Sequence, residues 1–347
     1  MKALTYRGPG RRLWAEVPDP APTDPEDAIV RVDAATICGT DLHILHGDVP
    51  EVAEGRILGH EAVGTVVETG PGVRTVAAGD RVLVSCISAC GRCASCREAA
   101  YGQCTGGGGW ILGHLVDGTQ AEFVRTPFAD NSLHRLPAGI TDEAALMLAD
   151  ILPTSFEVGV RNGRVGPGDT VVVVGAGPVG LATIATARLY SPARIIAVDL
   201  AESRRKAAGR AGADSALSPD DVERAAADGL GRDGRGADVA IEAVGLPETF
   251  ELCTRLVRPG GRVANVGVHG RSATLHLEDL WIRNLTITTG LVDTSSTPLL
   301  LDMLAAGRLS TGDLVTHRFG LDEMQDGYDV FADPARTGAL KVAFFRT

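Results

Sequence analysis

The pattern of apolar and polar positions changes character near residue 150. Before it, short valine-rich runs are separated by Gly, Pro and Asp turns: AIVRVDA (28–34), AVGTVVETG (62–70) and DRVLVSC (80–86). Short runs bounded by turn formers predict antiparallel strands. From Asp169 onward, apolar runs alternate with helical stretches. DTVVVVGAGPVG (169–180) reads as a strand, a glycine loop and a helix start. ARIIAVD (193–199), ADVAIEAVG (237–245), GRVANVGV (261–268) and NLTITTGLV (284–292) read as further strands, with helices AESRRKAAGRAGA (201–213) and PETFELCTRLV (247–257) between them. Such alternation predicts a doubly wound parallel sheet. LLDMLAAGRLSTGDLVTHRF (300–319) reads as a helix followed by a polar turn, and TGALKVAFFRT (337–347) as a strand that returns to the first domain.

These patterns divide the chain into an α/β domain over 153–296 and a β-rich domain over 1–152 and 297–347. A length of 347 residues fits about two domains. The uncharged stretch 170–187 is as long as a membrane helix. Its glycines and proline favour strand, loop and helix instead. With 44% apolar and 22% charged residues, the composition is that of a soluble globular chain. The net charge of −11 disfavours nucleic acid and anionic membranes as partners. MKALTYRGPG lacks the apolar run of a signal peptide, which predicts a cytoplasmic protein.

Five of the seven cysteines fall within 86–104. Cys90, Cys93, Cys96 and Cys104 are spaced so that successive thiolates can curl around one ion. Four thiolates fill a tetrahedral zinc site and leave no room for substrate, so this lobe (about 86–110) would be structural. Such a site contributes about 10–16 kcal/mol to folding. An iron–sulfur cluster uses the same ligands, and four unligated thiols is the plain alternative. Few basic residues flank the cysteines, against a nucleic-acid zinc ribbon.

Gly175, Gly177 and Gly180 form G-x-G-x-x-G between a strand and a helix, with Asp199 ending the next strand. The glycines permit the tight turn, close approach to a pyrophosphate and close helix–strand packing. Gly175, Gly177, Pro178, Val179 and Gly180 are therefore candidate cofactor contacts, and Val268, at the end of a later strand, is another. A carboxylate at 199 can accept the adenosine ribose hydroxyls and repels a 2′-phosphate, favouring NAD over NADP. Arg204 and Arg205 nearby could soften that preference, or could form a solvated helix face.

Three further residues sit in separate glycine- or proline-punctuated stretches: Cys38 in TICGTDLH, His60 in LGHEAVG and Asp150 in MLADILPTSF. Thiolate, imidazole and carboxylate together suit Zn²⁺, and three protein ligands leave the open position of a catalytic site. Singly, Cys38 reads as a core thiol, His60 as a structural histidine and Asp150 as a helix cap. Their joint occurrence beside a dinucleotide fold favours the metal.

Taken together, CGTDLH, GHE, the four-cysteine lobe and GAGPVG resemble the zinc-dependent alcohol dehydrogenases of the medium-chain dehydrogenase/reductase family, over nearly the whole chain. Bacterial members acting on secondary and furfuryl alcohols look most similar. The resemblance implies a GroES-like catalytic domain plus a Rossmann domain. It also implies two zinc ions per chain, one catalytic and one structural, and hydride exchange between NAD and a small alcohol or carbonyl. Cys38, His60 and Asp150 match the catalytic ligands, the last where many relatives carry cysteine. Glu61 matches a residue that can approach the metal. Thr40 and His43 match a proton relay, and Thr154 a residue beside the nicotinamide. Cys86, Ile87 and Trp110 match the substrate pocket, and Lys341 a basic residue near the cofactor. The edge strand NLTITTGLV would pair across a dimer, within a homodimer or homotetramer. Competing expectations are a polyol or L-threonine dehydrogenase on the same scaffold, and a non-catalytic NAD-binding protein with structural zinc only.

Overall fold

The computed structural model describes residues 1–312 and 314–346. The chain forms two compact units, one of Met1–Asp150 with Val292–Thr347 and one of Ile151–Leu291.

The second unit is an open, all-parallel sheet. From edge to edge its strands are Ser215–Leu217, Arg194–Val198, Thr170–Val174, Ala237–Glu242, Val257–Asn265 and Thr286–Thr289. Thr170–Val174 is buried at every position, as expected of a strand with helices on both faces. The strand order reverses between Thr170–Val174 and Ala237–Glu242, and ligands bind doubly wound sheets at the carboxyl ends of strands beside such a reversal. Val257, Val263, Leu252, Leu256 and Cys253 pack into its core, which gives Cys253 the core role its apolar helix suggests. Val257–Asn265 starts earlier than the apolar pattern suggests and ends before Val268, which lies in the following loop and is exposed.

The first unit is built on a seven-stranded sheet. Its order is Val315–Gly320, Lys341–Phe345, Ala28–Thr36, Ala62–Thr69, Arg81–Val84 and Leu133–Arg135, with Phe123–Thr126 also paired to Ala28–Thr36. The pairings are antiparallel except between Val315–Gly320 and Lys341–Phe345. The C-terminal strand thus pairs with the strand that ends just before Cys38. After the helix Thr297–Ala305, the expected polar turn gives way to strand at Val315, because residues 315–320 pair in parallel with Lys341–Phe345. That turn includes Asp313, which lies outside the described residues. Among the described residues, no helix is long and apolar enough to cross a membrane.

Candidate active site

Three chain segments bring Cys38, His60 and Asp150 together. Cys38 is the N-cap of the helix Gly39–His46 and follows directly on the strand Ala28–Thr36 and Ile37. His60 precedes the strand Ala62–Thr69. Asp150 ends the first unit. Gly59, the residue before His60, has φ of +89°, and a Cβ there would lie 2.6 Å from the side chain of Gln120. Only glycine supplies this turn without strain, so the G-H pair is a packing requirement as well as a motif.

Asp150 Oδ2 lies 3.6 Å from Cys38 Sγ and 3.3 Å from His60 Nε2. Tetrahedral zinc at ordinary bond lengths would put S and O roughly 3.6 Å apart, and N and O roughly 3.4 Å apart. Ligand atoms of Cys38, His60, Glu61 and Asp150 all lie within 4.8 Å of one another. The donor set therefore fits a zinc ion. Its electrostatics also call for a cation. Burial, then the Asp150 carboxylate, pushes the Cys38 thiol above its ordinary value. Burial works to lower His60, but hydrogen bonding to Asp150 and Cys38 prevails and holds the imidazole well above its usual value. A divalent ion would displace protons that this crowd of anionic groups otherwise retains.

Glu61 is 1% exposed, and its nearer oxygen is 4.0 Å from His60 Nε2. Lys341 Nζ donates to Glu61 Oε1 at 2.7 Å, to Oε2 at 2.8 Å and to Ile37 O at 2.9 Å. All three ammonium donors are used and Lys341 is itself 1% exposed. Lys341 thus neutralises a buried carboxylate beside the candidate metal ligands.

Thr40 Oγ1 lies 3.6 Å from Cys38 Sγ, on the first turn of the same helix. His43 is one turn further along, and its Nδ1 is 2.8 Å from Asp48 Oδ2. Trp110 approaches His60 edge-on, at 6.4 Å between ring centroids, and stacks on His114 at 4.3 Å. Cys86 and Ile87 are buried. Thr154 is in the helix Ile151–Thr154 of the second unit.

The four-cysteine lobe closes on itself. Cys90 and Cys96 sulfurs are 3.9 Å apart, and those of Cys93 and Cys104 are 4.0 Å apart. Four sulfurs on one zinc would be separated by roughly 3.8 Å. The Cys96 N–H holds the Cys93 thiol down to about 5, whereas burial pushes Cys96 up to about 12. A Cβ on Gly106 would lie 2.5 Å from Cys90 Sγ, so the glycine run 106–109 wraps the cysteines closely.

In the second unit, Gly175 has φ of +100°, and a Cβ on Gly180 would lie 1.9 Å from Gly175 O. A Cβ on Gly177 would meet nothing within 4 Å, which leaves open space where the loop can face a ligand. Pro178 and Val179 open the helix Pro178–Ala187. Asp199 accepts from Ala176 N and Ala201 N at 2.8 Å each, tying the glycine loop to the next strand. Arg204 comes within 3.9 Å of Asp199, while Arg205 donates to the Asp199 and Leu200 carbonyls.

Residues 24–138 match the family model for the alcohol dehydrogenase GroES-like domain, and residues 178–306 that for zinc-binding dehydrogenases. An alcohol dehydrogenase of Cupriavidus necator is 37% identical, over 99% of this chain and 98% of its own length. The NADP-dependent isopropanol dehydrogenase of Thermoanaerobacter brockii is 35% identical, over 96% of each chain. Among solved structures, zinc-dependent alcohol dehydrogenase 2 from Streptococcus pneumoniae superposes with a TM-score of 0.94. It is 46% identical, and the match spans 100% of this chain and 98% of that one.

Proposed function

The chain belongs to the zinc-dependent alcohol dehydrogenases of the medium-chain dehydrogenase/reductase family, and on that footing we propose that it exchanges hydride between NAD and a small primary or secondary alcohol. The observation carrying the site assignment is the convergence of Cys38, His60 and Asp150 at the spacings of a tetrahedral zinc. These three residues hold the catalytic ion, and Cys90, Cys93, Cys96 and Cys104 hold a second, structural one.

When bound, zinc would supply Lewis acidity that lowers the pKa of a bound hydroxyl by about nine units, toward about 7, and NAD would accept the hydride. Nine pKa units correspond to about 12 kcal/mol. General acid–base groups contribute about 10²–10⁴ in rate, which is the smaller part. The chain's own residues do the rest. Thr40 would take the hydroxyl proton while releasing its own toward the cofactor ribose and His43, which, partly exposed and braced by Asp48, would pass it to water. Trp110, Cys86 and Ile87 give the alcohol a mostly apolar wall and exclude water. Lys341 keeps the Glu61 charge compensated beside the ligands. Gly175, Gly177 and Gly180 cradle the pyrophosphate and Thr154 flanks the nicotinamide. Asp199 receives the adenosine ribose, against a 2′-phosphate. The Thermoanaerobacter relative is named for NADP, so cofactor choice is this reading's sharpest discriminator.

Among the described residues the strand Thr286–Thr289 has one neighbour and an unpaired edge, close in sequence to Trp281 and Ile282, which are 73% and 68% exposed. An uncovered edge of this kind invites pairing with a second copy, so we assign the enzyme as a homo-oligomer. Cys38→Ser should abolish alcohol oxidation and remove one of two zinc ions while NADH still binds. An active variant with unchanged zinc content contradicts the assignment. A panel of secondary, aryl and polyhydroxy alcohols then identifies the substrate, and strong preference for polyols or L-threonine would displace the small-alcohol reading.

A further inference from the structure

Tyr328 lies on the helix Met324–Phe331, far in sequence from every candidate ligand, and is fully buried. Its hydroxyl donates to Gln120 Oε1 at 2.8 Å. That bond holds the end of the Gln120 side chain in place. Nε2 then donates to Asp41 Oδ2 at 3.1 Å and to Thr36 O at 3.3 Å. Asp41 Oδ2 also accepts from Cys38 N at 2.9 Å. The other carboxylate oxygen, Asp41 Oδ1, has no hydrogen-bond partner, and neither has His60 Nδ1. These two atoms face each other across 3.8 Å. Tyr328, Gln120, Asp41 and His60 are 0%, 0%, 1% and 3% exposed, so bulk solvent does not reach the gap.

A buried donor and acceptor left unpaired are unfavourable, and closing this gap by under 1 Å would satisfy both. Metal-binding histidines usually donate their second ring N–H to a carboxylate, which sets ring orientation and ligand basicity. Both donors to Asp41 sit on Oδ2, so Gln120 decides where Oδ1 is aimed. A flipped Gln120 amide would set its oxygen against Asp41 Oδ2 and Thr36 O, so these two acceptors fix the amide's orientation, while the Tyr328 hydroxyl anchors its far end in place.

We propose that Tyr328 is a positioning residue for the metal, acting through Gln120 and Asp41 on His60. The inference rests on the assignment of His60 as a ligand. It makes the helix Met324–Phe331 part of metal retention, whereas a packing role alone would need only the tyrosine ring, over which the Arg12 guanidinium already sits at 4.9 Å.

The test is metal release to a chelator from the zinc- and cobalt-loaded full chain, with Cys38→Ser identifying which ion is followed. Tyr328→Phe should release that ion on the order of tenfold faster and shift its cobalt absorption bands, with the four-cysteine metal unchanged. Adding Tyr328→Phe to Asp41→Asn should produce no further acceleration. Unchanged release and spectrum in Tyr328→Phe, or additive effects in the double variant, would overturn the proposal. If Tyr328→Phe folds poorly, Gln120→Met breaks the same chain with the tyrosine intact and is read identically. Unchanged metal content in Cys38→Ser would instead remove the ligand assignment itself, independently of Tyr328.

Discussion

Lys341→Met isolates the most consequential charge in the molecule. Lys341 and Glu61 are each 1% exposed, and both carboxylate oxygens lie within 2.8 Å of the ammonium. Removing the lysine strands a carboxylate among His60, Cys38 and Asp150. Breaking one side of a buried pair costs about 3–5 kcal/mol, because the remaining charge stays buried without the ammonium that neutralised it. At about 2–4 °C per kcal/mol for a domain of this size, melting should fall by roughly 6–20 °C. Methionine preserves most of the lysine stem's volume, so the loss reflects charge and not a cavity. Replacing both residues, Glu61→Met with Lys341→Met, should recover most of the loss, since a buried pair exchanged for apolar groups is often neutral or better. The assay is thermal and urea unfolding of the zinc-loaded enzyme, with the single and double variants side by side. A single variant within about 1 kcal/mol of the parent, the range of an exposed pair, would refute the reasoning. So would a double variant no more stable than the single one.

Asp199→Gly should move selectivity from NAD toward NADP, read as the ratio of kcat/KM for the two cofactors; an unchanged ratio would take Asp199 out of that role. Cys104→Ser should cost one zinc per chain and open the lobe around 86–110 to limited proteolysis, while Asp199-dependent cofactor binding persists; an intact lobe without the metal would contradict it. His134 has a buried, unpartnered Nε2, and burial pulls its imidazole down to about 4. The unfolded chain therefore binds the extra proton first as pH falls, so this contribution is complete above about 6.5 and is lost progressively toward pH 4, by up to about 3 kcal/mol. His134→Leu should flatten stability over that window, and an unaltered acid slope would show that His134 is not responsible.

The strands were legible where apolar runs are dense and turn residues bound them, as in Ala28–Thr36, Ala62–Thr69 and Thr170–Val174. The segment 315–320 escaped because VTHRFG carries no apolar run; its structure comes from pairing with Lys341–Phe345. The residues that meet at the candidate metal site announce themselves by type, since thiol, imidazole and carboxylate in loop contexts are chemically distinctive. Their supports do not. Asp41, Gln120, Tyr328 and Lys341 are ordinary residues whose significance lies in buried pairings 79 to 280 residues apart. Lys341 shows this most clearly: the resemblance offers it only as a basic residue near the cofactor, and nothing in the local sequence signals its burial against Glu61.

The central claim is that one zinc ion sits among Cys38, His60 and Asp150. Anomalous diffraction from crystals of the zinc-loaded enzyme, collected on both sides of the zinc absorption edge, tests it most directly. The expected result is two peaks per chain, one bounded by those three side chains and one by Cys90, Cys93, Cys96 and Cys104. A fully loaded enzyme with no peak among Cys38, His60 and Asp150 would contradict the account.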